Sequence, residues 1–160
     1  MKIGIDAGGT LIKVALLTDS GRTFKKYPAA EIDQVISMLN SKHADDDVYL
    51  TGGKAEYIQE KLNFAVTASI EFDATFRGLT QLLKEADMDL DRYVYLNVGT
   101  GTSFHQATRD SQKRVGGSGV GGGTMIGLSY LLTGIGDFDT IIERAKDGIR
   151  DNVDLKVHHI

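Results

Sequence analysis

The chain has 160 residues, room for one ordinary domain or two small lobes. Its 41% hydrophobic and 25% charged residues suit a globular protein, and a net charge of -4 argues against nucleic acid or an acidic membrane as a partner. With no cysteine there is no disulfide framework, thiolate metal site or cysteine nucleophile; with no membrane-length apolar run and no signal-peptide core, a cytoplasmic location is expected.

The first element is a hairpin. Lys2 to Asp6 and Leu11 to Leu17 alternate apolar and polar residues on either side of Gly8-Gly9-Thr10. Adjacent glycines let backbone N–H groups approach an anion with no Cβ in the way. Thr10 adds a hydroxyl and Lys13 a positive charge, while Asp6 at the strand tip could hold a hydrated Mg²⁺ through water. This is a phosphate-handling hairpin or, equally from these residues alone, a plain glycine turn. Asp19-Ser20-Gly21 is a turn, and Arg22 to Tyr27 a third antiparallel strand. Ile32, Val35, Ile36 and Leu39 fall at i, i+3, i+4 and i+7, predicting an amphipathic helix over 31–40. Asp45 to Asp47 reads as a solvated loop, and Val48 to Leu50 as a short buried strand. A turn at Thr51-Gly52-Gly53, a helix over 55–62 and a strand over 66–70 follow. Asp73 is then the expected N-cap of a long helix with an apolar stripe at Phe72, Phe76, Leu79, Leu83 and Ala86.

Asp87 to Arg92 is a polar linker, after which the pattern restarts. Tyr93 to Val98 reads as a strand, Gly99 to Thr102 as a turn and Ser103 to Ala107 as a second strand. YLNVGTGTSFHQA aligns under IGIDAGGTLIKVA, with Asn97 in the place of Asp6, which predicts an internal structural repeat. Gln112 to Val115 is a third strand. Gly116 to Gly123 then opens a helix carrying Met125, Leu128, Leu131 and Leu132, and a shorter helix spans 140–145. Asp137, Asp139 and Asp147 read as loop or helix-cap residues. The terminal stretch 152–160 could be a strand.

The glycine run is the second anion-cradle candidate, because exposed N–H groups and the positive end of a helix favour a phosphate; a glycine loop without ligand is the alternative. Gly117, Gly119 and Gly122 match a dinucleotide pattern that arises easily in so glycine-rich a stretch, and no suitable acidic strand end follows it. Glu71 ends an apolar strand, one residue before Phe72. Facing a cleft it can act as general base, and otherwise it is a capping or solvated carboxylate. Arg114 is a fork-shaped anchor for a carboxylate or a surface arginine. The histidines, His105 among them, show no metal-ligand spacing.

Four segments in order carry a resemblance: DAGGTLIK (6–13), EFDA (71–74), NVGTGTS (97–103) and RVGGSGVGGGT (114–124). With them the chain resembles the sugar kinase–actin superfamily, and more closely its type II pantothenate kinases of the bacterial kind. The resemblance implies an α/β fold of two ribonuclease-H-like lobes, with 1–90 as the first ATPase lobe and 91–160 as the beginning of an incomplete second. It implies phosphorylation of the pantothenate primary hydroxyl by ATP, the first step of coenzyme A biosynthesis, in a homodimer. Glu71 would be the catalytic base, and Ser103 and Arg114 would bind pantothenate. Asp6, Ala7, Gly8, Gly9, Thr10, Leu11, Ile12 and Lys13 would grip the ATP phosphates, with Asp6 orienting Mg²⁺ through water. Thr100, Gly122, Gly123, Thr124, Met125 and Ile126 would line the nucleotide, and Phe138 would lie near the adenine. A sugar kinase of the same superfamily, or a non-catalytic nucleotide-binding module, fits the first motif as well. In this family the second lobe runs on past residue 160, so a fragment, or a chain completed by a further segment, is expected.

Overall fold

The computed structural model describes residues 1–154. The chain divides into two compact units, Met1–Tyr95 with His105–Val115, and Leu96–Phe104 with the chain from Gly116 on.

The first unit is organised by a five-stranded sheet of order β3-β2-β1-β4-β5. Its strands are β1 (Lys2–Ala7), β2 (Leu11–Thr18), β3 (Gly21–Pro28), β4 (Asp47–Thr51) and β5 (Thr67–Ala68). The first three pair antiparallel, whereas β4 runs parallel to β1 and β5 parallel to β4. A parallel neighbour needs a crossover, and α1 (Ile32–Lys42) and α2 (Ala55–Lys61) supply the two. Strand periodicity then sorts the side chains by face. Ile3, Ile5 and Ala7 lie across from Leu16, Val14 and Ile12, and Ile3 and Ile5 also from Val48 and Leu50. All but Leu16, which is half-buried and packs against the rest, form one core with Ile32, Val35, Ile36 and Leu39 of α1 and Ile58 of α2. The predicted stripe of α1 is therefore the buried one. On the opposite face, Asp6 is the register partner of both Lys13 and Thr51.

Several local expectations are corrected. Asp46 is not a solvated loop residue. Its carboxylate accepts from the Met1 amino group at 2.8 Å and lies 2.9 Å from His43 Nδ1, contacts that hold its pKa below the usual carboxylate range. The strand expected over 66–70 shrinks to β5. Asp73 is not an N-cap: α3 (Glu71–Glu85) begins two residues earlier, with Ile70 extended at the cap and the N–H groups of Asp73 and Ala74 donating to its carbonyl. Glu71 thus opens a helix rather than ending a strand, and with Asp73 it places negative charge in the first turn, where the helix dipole favours it. The stripe Phe72, Phe76, Leu79 and Leu83 is half-buried, Ala86 is exposed, and no α3 residue is fully buried. At the helix end Asp87 takes φ 53°, and its N–H and that of Met88 donate to the carbonyls of Lys84 and Leu83. That is the C-terminal pattern usually built on glycine.

The second sheet has three strands in order β6-β7-β8: β6 (Arg92–Val98), β7 (Thr102–Thr108) and β8 (Gln112–Ser118). The expected repeat is visible in the strand plan. In each half, three consecutive strands lie side by side in chain order, the first two joined through Gly8–Thr10 or Gly99–Gly101. Strand β8 runs three residues into the glycine stretch, beyond its expected end at Val115. The chain continues as α4 (Gly122–Thr133) and α5 (Phe138–Lys146). Asp137 caps α5 by accepting from Thr140 N at 2.8 Å. Asn152, expected to begin a strand, closes a 3-10 turn, and 155–160 lie outside the described residues.

Candidate active site

In the first hairpin the turn closes by Gly8 N–H donating to Leu11 C=O at 3.1 Å. Gly9 faces open space, with no atom within 4 Å of where a Cβ would stand. Lys13 Nζ donates to Asp6 Oδ2 at 2.7 Å, so the expected phosphate cation and the expected metal-orienting acid are paired with each other. Both remain solvent-accessible, at 56% and 31% of the side-chain surface. A surface pair of this kind contributes about 0–1 kcal/mol, so little holds Lys13 against a stronger anion. The back of this corner is set by Gly52, which the sequence marks only as part of a turn. It has φ +93°, and a Cβ there would stand 2.7 Å from Asp6 Oδ1 and from the Ala7 carbonyl oxygen. That carbonyl also accepts from Lys54 N–H at 2.9 Å. Glycine is required because the chain leaving β4 passes directly behind the Asp6 carboxylate.

Glu71 and Arg114 also belong to the first unit, and one contact relates the elements that carry them. Gln112 Nε2 donates to Asp73 Oδ1 over 3.4 Å, a long hydrogen bond between β8 and the first turn of α3. Glu71 is two residues before Asp73 on that turn. Arg114 is two residues after Gln112 and, by strand alternation, on the same face of β8. Both side chains are exposed, and neither makes an ion pair or hydrogen bond among the described residues. The pairing thus places an open carboxylate and an open guanidinium on adjoining elements. Next to them lies a buried group that sequence spacing does not reveal, His105 with Tyr95, Phe72 and Gln112.

In the second unit Ser103 is buried on β7 and Thr100 sits in the turn before it. The glycine run behaves differently from the expected cradle of exposed N–H groups. Gly122 N–H donates to Gly99 C=O at 2.8 Å and Gly123 N–H to Thr100 C=O at 3.0 Å. Two of the helix's first donors are therefore satisfied by the turn. A Cβ on Gly121 would stand 2.8 Å from Gly101 backbone and from the Thr100 carbonyl oxygen, so this glycine allows two backbones to touch. Thr124 Oγ1 donates to Gly119 C=O at 3.2 Å. Met125 and Ile126 are half-buried in the first turns of α4, and Phe138 opens α5 with 48% of its surface exposed. Among the described residues no single helix is long and apolar enough to cross a membrane.

Two solved structures share the fold at low sequence identity. The ethanolamine utilization protein EutJ from Carboxydothermus hydrogenoformans superposes with TM-score 0.57 at 11% identity, covering 91% of this chain and 61% of that one. A Ppx/GppA phosphatase from Aquifex aeolicus gives 0.51 at 12% identity, over 79% and 54%. At such identity the likeness shows the fold alone, and it is the mixed α/β fold of the actin and sugar-kinase class expected from the sequence. Sequence relatives are much nearer. A type II pantothenate kinase of Staphylococcus saprophyticus is 48% identical over 160 residues, and one of Staphylococcus aureus strain USA300 is 49% identical. Each match covers 100% of this chain but 60% of the relative, so the chain spans about three fifths of the length of these curated relatives. The family model described as Fumble matches residues 2–160. On that match, and on the similarity to type II pantothenate kinases along the whole of these 160 residues, the chain belongs to the Fumble family.

Proposed function

We propose that the protein containing this chain is a pantothenate kinase, which transfers the γ-phosphoryl group of ATP to the primary hydroxyl of pantothenate at the entry to coenzyme A biosynthesis. The observation that supports the reading is the Gln112–Asp73 contact, which links β8, the strand that carries Arg114, to the first turn of α3, which carries Glu71. A carboxylate-bearing alcohol needs this pair: a guanidinium fork for its carboxylate and a base for its hydroxyl. Family membership and the similarity to type II pantothenate kinases support the same substrates.

In this reading Glu71 accepts the hydroxyl proton as the oxygen attacks the γ-phosphorus, and Arg114 and Ser103 hold the pantothenate carboxylate and body. The ATP phosphates lie over residues 6–13, where Gly9 leaves room and Lys13 turns from Asp6 to the transferring phosphoryl group. Phosphoryl transfer asks mostly for positioning and charge neutralisation, so these parts suffice. Thr100 and residues 122–126 line the nucleotide, with Phe138 near the adenine. Since the Gly122 and Gly123 N–H groups are engaged, these two glycines offer Cβ-free surface rather than donors. The residues fit a water-held cation better than a direct one: among the described residues no three or more His, Cys, Asp or Glu side chains gather. Asp6 would therefore hold Mg²⁺ through water, and the ion would neutralise phosphate charge when bound. The same reading takes 1–90 as the first ATPase lobe, 91–160 as the start of the second, and the complete protein as a cytoplasmic homodimer.

The test is ADP release by the complete protein with ATP and pantothenate, comparing wild type with Glu71→Gln and Arg114→Gln. Glu71→Gln is expected to abolish turnover, and Arg114→Gln to raise the pantothenate KM. Preferential turnover of glucose, or ATP binding without turnover of any small molecule, would remove the reading.

A further inference from the structure

One buried polar cluster of the first unit takes no part in the chemistry above. His105 on β7 has no exposed surface. Its ring stacks on Tyr95 of β6, with centroids 4.7 Å apart and planes 8° from parallel. Phe72 meets it edge-on at 4.8 Å and 62°. Nδ1 lies 2.8 Å from Gln112 Oε1, and since a carboxamide oxygen only accepts, Nδ1 carries the hydrogen. The carboxamide passes the interaction on, Nε2 donating to Asp73 Oδ1. His105 is therefore held from both sides and reaches α3 twice, at Phe72 through its ring edge and at Asp73 through Gln112.

Those two residues directly follow Glu71, in a helical turn that has no side-chain cap. An uncapped first turn leaves orphan N–H groups and frays readily unless side-chain contacts hold it. We infer that His105 is a positioning residue for Glu71: clamped between Tyr95 and Phe72 and linked through Gln112 to Asp73, it fixes the first turn of α3 and thereby the direction of the Glu71 carboxylate. The inference rests on the reading of Glu71 as the base. Because displacing a reacting group by about 1 Å can cost about 100-fold in rate, a loosened turn should be felt in kcat before it is felt in substrate binding.

The experiment uses the complete protein with His105→Phe, which keeps a ring of similar size but removes the Nδ1–H donor. A Gln112→Leu variant breaks the same link from its other end, and the double variant closes the cycle. We expect kcat to fall about tenfold or more in each single variant, with KM for pantothenate and ATP within about twofold. The double variant should be no worse than His105→Phe alone, since both cut one path. Amide exchange at residues 72–75 should speed up in both. A folded His105→Phe protein with at least half the wild-type kcat and unchanged exchange at 72–75 overturns the inference. If that variant does not fold, Gln112→Leu decides by the same two readouts. Glu71→Gln separates the two proposals. If it keeps turnover, the base reading fails; if it abolishes turnover while His105→Phe does not lower kcat, the positioning inference alone fails.

Discussion

Replacing Gly52 by alanine tests the geometry behind Asp6. The new Cβ would stand 2.7 Å from the Ala7 carbonyl oxygen, 2.8 Å from its carbon and 2.7 Å from Asp6 Oδ1, on a residue with φ +93°. Left-handed backbone costs a residue with a Cβ about 1–2 kcal/mol. Relieving an overpacked contact adds about 1–3 kcal/mol. Restricting the unfolded chain returns about 0.4–1 kcal/mol, which leaves a net loss of about 1–4.5 kcal/mol, about 3 at the midpoints of the ranges. Two of the three close atoms are backbone of β1, so no flexible side chain can swing away to relieve them.

The assay is urea unfolding of the complete protein with m held in common. Gly53→Ala and Gly78→Ala serve as internal controls, because neither position has an atom within 4 Å of its Cβ site. Gly53→Ala should stay within about 0.5 kcal/mol of wild type. Gly78→Ala, in the interior of α3, should gain about 0.5–1 kcal/mol. A Gly52→Ala protein within about 0.5 kcal/mol of wild type would refute the claim that the chain leaving β4 is pressed against Asp6.

Four further outcomes are expected. Leu39→Ala should cost about 2–5 kcal/mol, since Leu39 has no exposed surface in the sheet–helix core, whereas Leu82→Ala, 59% exposed on α3, should fall within about 0.5 kcal/mol in the same titration. Asp87→Gly should stabilise by up to about 1 kcal/mol, because Asp87 holds a left-handed conformation at the end of α3. Tyr95→Phe should be neutral or stabilising by up to about 1 kcal/mol: the Tyr95 hydroxyl is buried without a partner among the described residues, and burial pushes its pKa up. Asp137 is held below the usual carboxylate range by the Thr140 hydroxyl and N–H. Its capping contribution is therefore complete above about pH 4 and is lost as pH falls through the lower, folded pKa. Protection factors of the α5 amides, which are exchange rates corrected for their intrinsic pH dependence, should fall on acidification in wild type and be lower in Asp137→Ala at neutral pH, the two proteins converging in acid.

The elements legible in the sequence were those whose signal is local. Alternation around Gly8-Gly9 defined the first hairpin, and the spacing of Ile32, Val35, Ile36 and Leu39 defined α1, because each pattern needs only the chain's own period and one buried face. The repeat was legible for the same reason: Gly99 to Gly101 interrupts alternating strands as Gly8 to Thr10 does. Asp137 fitted its cap because a carboxylate three residues before a threonine can bond the N–H of its own helix. The start of α3 misled, since the acidic signal of Asp73 pointed two residues past the true beginning, where Ile70 caps with backbone alone. Asp87 also gave no warning, because the left-handed end of a helix is usually announced by glycine.

By itself, the order of residues determined the family, the mixed α/β class, and the motifs around Asp6, Glu71, Thr100 and Arg114. Short-range periodicity and motif spacing are properties of neighbouring residues. Only the tertiary structure decided what those motifs touch. It showed that Lys13 rests on Asp6, that the Gly122 and Gly123 N–H groups are already taken by a turn, and that Gln112 joins β8 to the turn of Glu71. It also brought His105 between Tyr95 and Phe72. Such contacts join residues far apart along the chain, and their partners are chosen by sheet register and strand order, which no local pattern encodes.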